Sequence, residues 1–203
     1  MRLSRNNWIG CAVVALILWA GACHGFMLQS TICGTQNAAA CNPADQEVGD
    51  NTEHAENYDM EDGRILCFLY TPDCYGTLGY AYSMHEGTGS DTGYVCVYKD
   101  DGDSSPDTDS GDTLVACSAE LSSNDDDTWV QSSGKLSGSL TSGNYWVCTI
   151  GSSGSWKVRY DSTGSRTVYL ANGFNYASPP ANFGSVDFTG TANRDIATYV
   201  AIE

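Results

Sequence analysis

Acidic side chains crowd residues 99–113, where aspartates recur at nearly alternate positions between Gly102, Pro106 and Gly111. Several carboxylate oxygens on one loop are the ligands that Ca²⁺ prefers in proteins. One hypothesis is therefore a calcium site formed by Asp101, Asp103, Asp107, Asp109 and Asp112. The loop lacks the spacing and the closing glutamate of an EF-hand, and a solvated tip between two strands is the preferred alternative.

Aromatic side chains are the second group that could bind a ligand, since the chain has 12 Tyr and 5 Trp. Exposed rings stack on sugar rings, although most aromatic residues of β-proteins lie in the core or pair across strands. The candidates for a sugar-stacking platform are Tyr75, Tyr80, Tyr82, Trp129, Phe174 and Tyr176. Phe174 and Tyr176 lie in a loop, where strand packing explains them least, and are the predicted ligand-binding residues.

Eight cysteines follow the N-terminal segment, and in an exported chain this number predicts disulfides. The candidates include Cys33, Cys41, Cys67, Cys74, Cys96, Cys117 and Cys148. Two short spacings would close small loops, Cys33 to Cys41 and Cys67 to Cys74. Cys96 and Cys117 flank the acidic loop at equal distances, so they lie opposite each other if the flanking strands form a hairpin. No Cys-x-x-Cys pair occurs in the sequence, which argues against zinc, haem and thioredoxin-like sites.

Catalytic motifs are missing from the sequence. The three histidines stand beside no recognisable nucleophile motif such as Gly-x-Ser-x-Gly, and neither HExxH nor a phosphate-binding glycine loop occurs. A pair of catalytic acids is defined by separation in space, so 25 acidic residues do not identify one. The sequence predicts a protein that is not an enzyme and requires no cofactor.

The charge balance excludes one class of partner. The formal net charge is -16, and removal of residues 1–22 leaves seven basic residues against 25 acidic ones. Proteins that bind DNA or RNA present clustered Lys and Arg, so nucleic acid is not an expected partner. Eight acids and no base occupy residues 45–62, a run that usually forms only a solvated surface.

The first 22 residues have the organisation of an export signal. Two arginines precede an apolar run over residues 8–19, and small residues follow it. This run is shorter than the roughly 20 residues that a membrane-spanning helix needs. We therefore expect a signal helix over residues 1–22 that is removed on export, with a retained anchor or a lipid on Cys23 as alternatives. Residues 23–46 show no strand or helix period and are predicted to be a tether or arm.

Residues 47–203 are predicted to form one domain of short strands, because apolar and polar residues alternate there with a period of two. The clearest stretch is 140–160, where residues 145–150 are apolar on both faces and residues 156–160 on one. The glycine-serine segment 151–155 between them predicts a hairpin whose first strand is central in a sheet. Further strands are predicted over 64–70, 77–84, 93–98, 114–119, 128–131, 167–171, 184–189 and 195–202. Such strands predict an all-β fold, a two-layer antiparallel β-sandwich of the jelly-roll kind.

Short motifs follow one another along these strands in a definite order. They are Gly76-Thr77-Leu78, Val95-Cys96-Val97-Tyr98, Ser105-Pro106, Leu114-Val115-Ala116, Trp129, Leu140 with Gly143, Tyr145 and Trp146, Tyr160, Asn172-Gly173 with Tyr176 and Pro180, and Arg194 with Tyr199. This order resembles exported β-sandwich modules found in phage virion proteins and in bacterial cell-surface and extracellular proteins. The resemblance covers residues 47–203, and the cysteine content departs from it. It implies an architecture similar to carbohydrate-binding jelly rolls and a non-catalytic role.

These features together predict a non-catalytic protein that is secreted or anchored in the cell envelope. Its expected role is structural or adhesive, as a subunit of an extracellular assembly, and the alternative is a carbohydrate-binding module. The expected partners are cell-surface or extracellular proteins, further copies of the chain, or glycans. Contact with a membrane is expected only through the signal or a lipid anchor.

Overall fold

The described part of the chain contains strands and loops and no helix, so the predicted all-β class is confirmed there. The computed structural model describes residues 46–61, 63–86, 92–106, 111–122, 128–152, 156–175, 178–183 and 187–203. These ranges fall within one compact unit, Asn37–Glu203. The predicted signal helix over 1–22 and all but the last residue of the predicted arm lie outside them. None of the described residues belongs to a helix that could cross a membrane.

Twelve strands are assigned within these ranges. They are β1 (Glu47–Asp50), β2 (Glu56–Met60), β3 (Ile65–Tyr70), β4 (Leu78–Glu86), β5 (Thr92–Lys99), β6 (Thr113–Cys117), β7 (Leu121–Ser122), β8 (Thr128–Gln131), β9 (Tyr145–Gly151), β10 (Trp156–Ala171), β11 (Thr189–Ile196) and β12 (Thr198–Ile202). The order across the sheet is β1-β12-β4-β10-β3-β9-β5-β6; β2 and β11 also pair with β10, β7 with β5, and β8 with β4.

Strand β9 is central because it pairs along both edges, antiparallel to β3 and to β5. All of its residues are buried. Its side chains alternate between two apolar clusters: Tyr145 and Val147 belong to the first, and Trp146 and Cys148 to the second. A strand covered on both faces must be apolar on both, which is why the sequence predicted its central position correctly.

Strand β10 connects two groups of strands because it changes partners along its 16 residues. Its first half pairs with β2 and β4, and its second half pairs with β3, while β11 follows most of its length. The register against β11 shifts between Asp161 and Arg166 and again between Arg166 and Thr167, as it does at a β-bulge. The described strands therefore form one continuous antiparallel sheet.

The hairpin predicted over 140–160 does not form. Both edges of β9 are occupied by β3 and β5, and the first half of β10 pairs with β2 and β4 instead. Strand β2 also fills the space beside the end of β9, since a Cβ on Gly151 would lie 2.5 Å from the Cβ of Met60. Turn-forming residues in 151–155 favoured a hairpin locally, but pairing with distant strands decided the outcome.

Several predicted boundaries were also wrong. Strands β1 and β2, which lie in the acidic run 45–62, were not predicted, and the two strands predicted over 156–160 and 167–171 are one strand. Of the strand predicted over 184–189, the described residues are 187–189, and only Thr189, the first residue of β11, is in a strand. The strand predicted over 195–202 is divided at Ala197, whose N–H donates to the Arg159 carbonyl.

Candidate functional site

Two aromatic side chains, Tyr82 of β4 and Trp129 of β8, contact a third, Tyr199 of β12, on the outside of the sheet. We call them the aromatic face. The rings of Tyr82 and Tyr199 stack with their centroids 4.7 Å apart and their planes 10° apart. The Trp129 ring packs edge to face on the Tyr199 ring, with the centroids 5.2 Å apart and an angle of 69° between the planes. All three side chains are half-buried, and none belongs to either apolar cluster.

Strand pairing explains why these rings meet. Tyr82 lies directly opposite Tyr199 in the β4–β12 pair. The neighbouring residues Ala81 and Val200 also pair, and both are fully buried in the first apolar cluster. Because side chains alternate between the faces of a sheet, the small and aliphatic residues enter the core while the tyrosines point away from it.

The strands on either side complete the aromatic face. Strand β8 places Trp129 opposite Met84, which shares a face of β4 with the stacked tyrosines. Strand β1 places Gly49 opposite Tyr199, at a positive φ of 128°. A Cβ on Gly49 would lie 2.4 Å from the Thr198 carbonyl oxygen and 2.9 Å from the Tyr199 Cβ. Glycine is therefore required beside this ring, both for its backbone angle and for space.

Tyr199, at the centre of the aromatic face, is uncharged at neutral pH. Burial and the neighbouring Tyr82 raise the pKa of Tyr199 to about 12. Tyr80 lies two residues before Tyr82 on β4. The Lys135 ammonium lies over the Tyr80 ring, 5.8 Å from its centroid, and forms an ion pair with Glu203 at 2.6 Å. The surface thus offers flat rings with hydroxyl groups at their edges, beside one exposed ion pair. This chemistry suits contact with a protein surface or a sugar ring.

The sequence identified part of this surface. Tyr80, Tyr82 and Trp129 were among the platform candidates, and the structure brings Tyr82 and Trp129 together around Tyr199. Tyr75 packs instead against the first apolar cluster. Tyr199 was missed, although the alternation in residues 195–202 assigns it to the face opposite the aliphatic residues. That alternation was the signal that could have found it.

Phe174 is not on the surface. It is 7% exposed, belongs to the second apolar cluster, and its ring centroid lies 6.1 Å from that of Phe188. Its N–H donates to the Gly63 carbonyl at 3.0 Å. The loop after β10 covers one face of the central strands, so an apolar loop residue there is part of the core. This removes the reason for predicting Phe174 as a ligand-binding residue, and Tyr176 lies outside the described residues.

The acidic loop brings Asp100, Asp101 and Asp103 together, with one carboxylate oxygen of each within 4.8 Å of the others. The same carboxylates accept hydrogen bonds from their own loop: the Ser104 N–H donates to Asp100 and the Asp103 N–H to Asp101, each at 3.2 Å. These bonds shape the loop with or without a cation. Three carboxylates supply only part of the roughly six to eight oxygen ligands of Ca²⁺, and water would supply the rest.

Asp112 does not join this group of carboxylates. It is 3% exposed, and its Oδ1 accepts hydrogen bonds at 3.2 Å from the Trp146 ring N–H and from the Asp101 N–H. Burial raises the pKa of Asp112 to about 7, so near neutral pH it is only partly ionised and a poor cation ligand. The remaining predicted ligands, Asp107 and Asp109, lie outside the described residues.

Four cysteines form a row across β3, β9, β5 and β6. Cys67 lies opposite Cys148, Cys148 opposite Cys96, and Cys96 opposite Cys117. Disulfides join Cys67 to Cys148 and Cys96 to Cys117. The predicted placement of Cys96 opposite Cys117 is therefore confirmed. The first bond joins β3 to the central strand β9, and the second joins β5 to β6.

The small loop predicted between Cys67 and Cys74 is wrong, because Cys67 pairs with a cysteine 81 positions away. Cys74 is also disulfide-bonded. Cys33 and Cys41 lie outside the described residues. Sequence spacing favoured short loops, but strand pairing placed distant cysteines opposite each other.

A cluster of charged residues that the sequence did not reveal lies at the bulge of β10. Arg166 donates to Asp50 at 2.8 Å and to Asp195 at 3.0 Å, and the His54 Nε2 lies 3.4 Å from Asp50. Burial acts to raise the pKa of Asp50, but hydrogen bonds from Thr52 and the charge of Arg166 outweigh it and lower the pKa. Asp50 is therefore held ionised, and the cluster ties β1 to β10 and β11. Its members are scattered from residue 50 to residue 195, so no local motif marks them.

No family model matches this sequence, and a search of curated proteins gives no match.

Proposed function

We propose that this chain is an exported, non-catalytic β-sandwich protein with an adhesive role at the surface, and that the aromatic face makes the contact. The observation that carries this proposal is the stacking of Tyr82 on Tyr199, with Trp129 edge to face, on the side of the sheet away from the core. Tyr and Trp are enriched at interfaces because they combine a large apolar area with a polar group. Buried on a partner, such rings commonly supply most of the binding energy.

Two disulfides support export. Bonds of this kind persist in oxidising compartments, outside the cell or in its envelope, and are rare in the cytosol. Cys67–Cys148 and Cys96–Cys117 both lie in the second apolar cluster or against it. Together with the predicted signal at residues 1–22, they support a protein that acts at the cell surface or beyond it.

The two-layer arrangement is part of this proposal. The first half of β10 pairs with β2 and β4, and its second half with β3. If the bulge folds the strand over, the two groups of partners stack with the first apolar cluster between them. In that arrangement the aromatic face covers the outer surface of one layer and is free to meet a partner.

A carbohydrate-binding module is the second candidate, and the aromatic face also favours it. A pyranose presents a C–H face that packs on flat rings, and its hydroxyl groups bond with tyrosine hydroxyls at the ring edges. The two candidates differ in what the face recognises. A structural or adhesive subunit associates with proteins, including its own copies, whereas a carbohydrate-binding module stays monomeric and is retained on a polysaccharide.

The test compares the oxidised mature chain, residues 23–203, with the double variant Tyr82→Ser/Trp129→Ser. Sedimentation equilibrium measures self-association, and affinity electrophoresis in soluble polysaccharides measures retention. The matched control is Tyr94→Ser, which changes a half-buried tyrosine of β5 packed on the second apolar cluster. We expect the double variant to weaken the interaction at least about tenfold and the control to leave it unchanged.

The two readouts assign the function. Self-association lost in the double variant supports the structural or adhesive role, and polysaccharide retention lost in it supports the second candidate. Equal behaviour of the double variant and the wild type in both measurements, with circular dichroism showing both folded, would refute a role for the aromatic face.

A further inference from the structure

A pocket of about 100 Å³ opens between β2, β3, β10 and β11, away from the strands that carry the aromatic face. Its walls include Leu66, Val168 and Ile196. Two tyrosines, Tyr58 and Tyr160, also line it, with their rings perpendicular and their centroids 5.9 Å apart. A cavity of about 150 Å³ lined by similar side chains holds a benzene molecule, so this pocket has room for a short branched chain or part of one ring.

Arg194 gives the pocket its polar group. The guanidinium lies over the Tyr160 ring, with its Cζ 5.1 Å from the ring centroid. The guanidinium is hydrogen-bonded to the Tyr160 side chain, but its Nη1 is buried and has no hydrogen-bond partner among the described residues. Arg64 and Arg166, in contrast, each donate to carboxylate or carbonyl oxygens. A buried charged donor without a partner is unfavourable, and a ligand with an acceptor oxygen would relieve it.

Charged groups of both signs surround the pocket. Arg64 lies over the Tyr58 ring at 5.7 Å, so a guanidinium stands over each of the two tyrosines. Two carboxylates also lie close enough to Arg194 to interact with it. Each of them bonds elsewhere: Glu56 accepts from the Ser162 hydroxyl, and Asp161 from the Thr163 N–H. Neither carboxylate is hydrogen-bonded to the Arg194 Nη1.

We propose that this pocket binds a small carboxylic acid with an apolar body, its carboxylate on the Arg194 guanidinium and its body against Leu66, Val168 and Ile196. A carboxylate gains a charge-assisted hydrogen bond that a neutral oxygen does not. The walls are mainly apolar, with hydroxyl groups on Tyr58, Tyr160 and Thr191. The site is independent of the aromatic face, so either proposal can fail without the other.

The test uses benzoate and 4-methylpentanoate as probes of the mature chain, with binding followed by amide chemical shifts. Benzamide lacks the charge and acetate lacks the body. We expect both acids to bind in the millimolar range and to shift the amides of Thr191 and Ile196. Benzamide and acetate should bind at least about tenfold more weakly, since one loses a charge-assisted bond and the other the apolar contact.

Two variants complete the test. Arg194→Gln should weaken benzoate binding at least about tenfold, and Arg194→Lys, which keeps the charge but shortens its reach, should weaken it less. Benzoate binding that equals benzamide binding, that survives Arg194→Gln, or that shifts amides elsewhere would overturn the proposal, as would the absence of any shift. The probe comparison decides the matter even if Arg194→Gln fails to fold.

Discussion

Removing the Cys67–Cys148 disulfide should destabilise the protein more than removing Cys96–Cys117. A disulfide lowers the conformational entropy of the unfolded chain, and the loss grows with the logarithm of the number of residues in the loop that it closes. The separations are 81 and 21 residues. At 25 °C the chain-entropy relation gives about 4.5 kcal/mol for the longer loop and about 3.3 kcal/mol for the shorter one. The free energy of unfolding of native proteins is roughly 5–15 kcal/mol, so the loss of either disulfide would remove a large part of the stability.

The variants must remove both members of a pair. Cys148 lies opposite Cys96 as well as Cys67, so a single substitution would leave a thiol beside the other disulfide, ready for exchange. The comparison is therefore Cys67→Ala/Cys148→Ala against Cys96→Ala/Cys117→Ala. Cys67, Cys96 and Cys148 are fully buried, so both variants also leave small cavities, and the first removes more buried volume.

Urea unfolding at neutral pH under non-reducing conditions measures the two losses, followed by circular dichroism and by the fluorescence of the buried Trp146 and Trp156. We expect the free energy of unfolding to fall by at least about 1 kcal/mol more in the first double variant than in the second. The urea dependence should rise in both, because the unfolded chain expands. A larger loss from Cys96→Ala/Cys117→Ala, or a loss below about 1 kcal/mol from both, would refute the reasoning.

Three further predictions concern protons and cations. Burial lowers the pKa of His85 in the folded state below its usual 6.5, so the wild type should lose stability as pH falls below about 6.5, by at most about 1.4 kcal/mol per unit. His85→Gln should remove this dependence in urea unfolding, and an unchanged slope would contradict it. Asp112 has its folded pKa raised to about 7 from 3.8, so the wild type should lose stability as pH rises between those values. Asp112→Asn keeps the acceptor for the Trp146 ring N–H and should be more stable than the wild type in mildly alkaline urea titrations. Equal pH dependence of the unfolding free energy in the two proteins would contradict this prediction. Millimolar Ca²⁺ should raise the melting temperature of the wild type but not of Asp101→Asn/Asp103→Asn, and a wild-type melt unchanged by Ca²⁺ or chelator would exclude the cation site.

The strands were predictable where burial of their own faces decides the pattern. The bounds of β8 match the prediction, and those of β3, β4 and β5 differ from it by one or two residues. The partner of β10 was not predictable. Residues 151–155 have the composition of a hairpin turn, but β3 competes for the same edge of β9 and pairs with it over six residues. Local turn chemistry cannot report that competition, which joins residues far apart in the chain.

The candidate site was half predictable for the same reason. Tyr82 and Trp129 stand out as aromatic residues within strands, but both contact Tyr199 only because β12 and β8 pair with β4. Tyr199 belongs to the site only through that pairing. Phe174 shows the converse: it lies in a loop by sequence, yet the loop covers the second apolar cluster. The composition identified the side chains, and the topology decided which of them meet.

The central claim is that the aromatic face contacts a partner. Hydroxyl-radical footprinting measures it directly, by comparing side-chain oxidation in the free mature chain with oxidation in its self-associated or polysaccharide-bound form. We predict that Tyr82, Trp129 and Tyr199 become protected while Tyr94 is oxidised equally in both states. Equal oxidation of the three rings in the free and bound forms, or protection confined to Tyr94, would contradict the account.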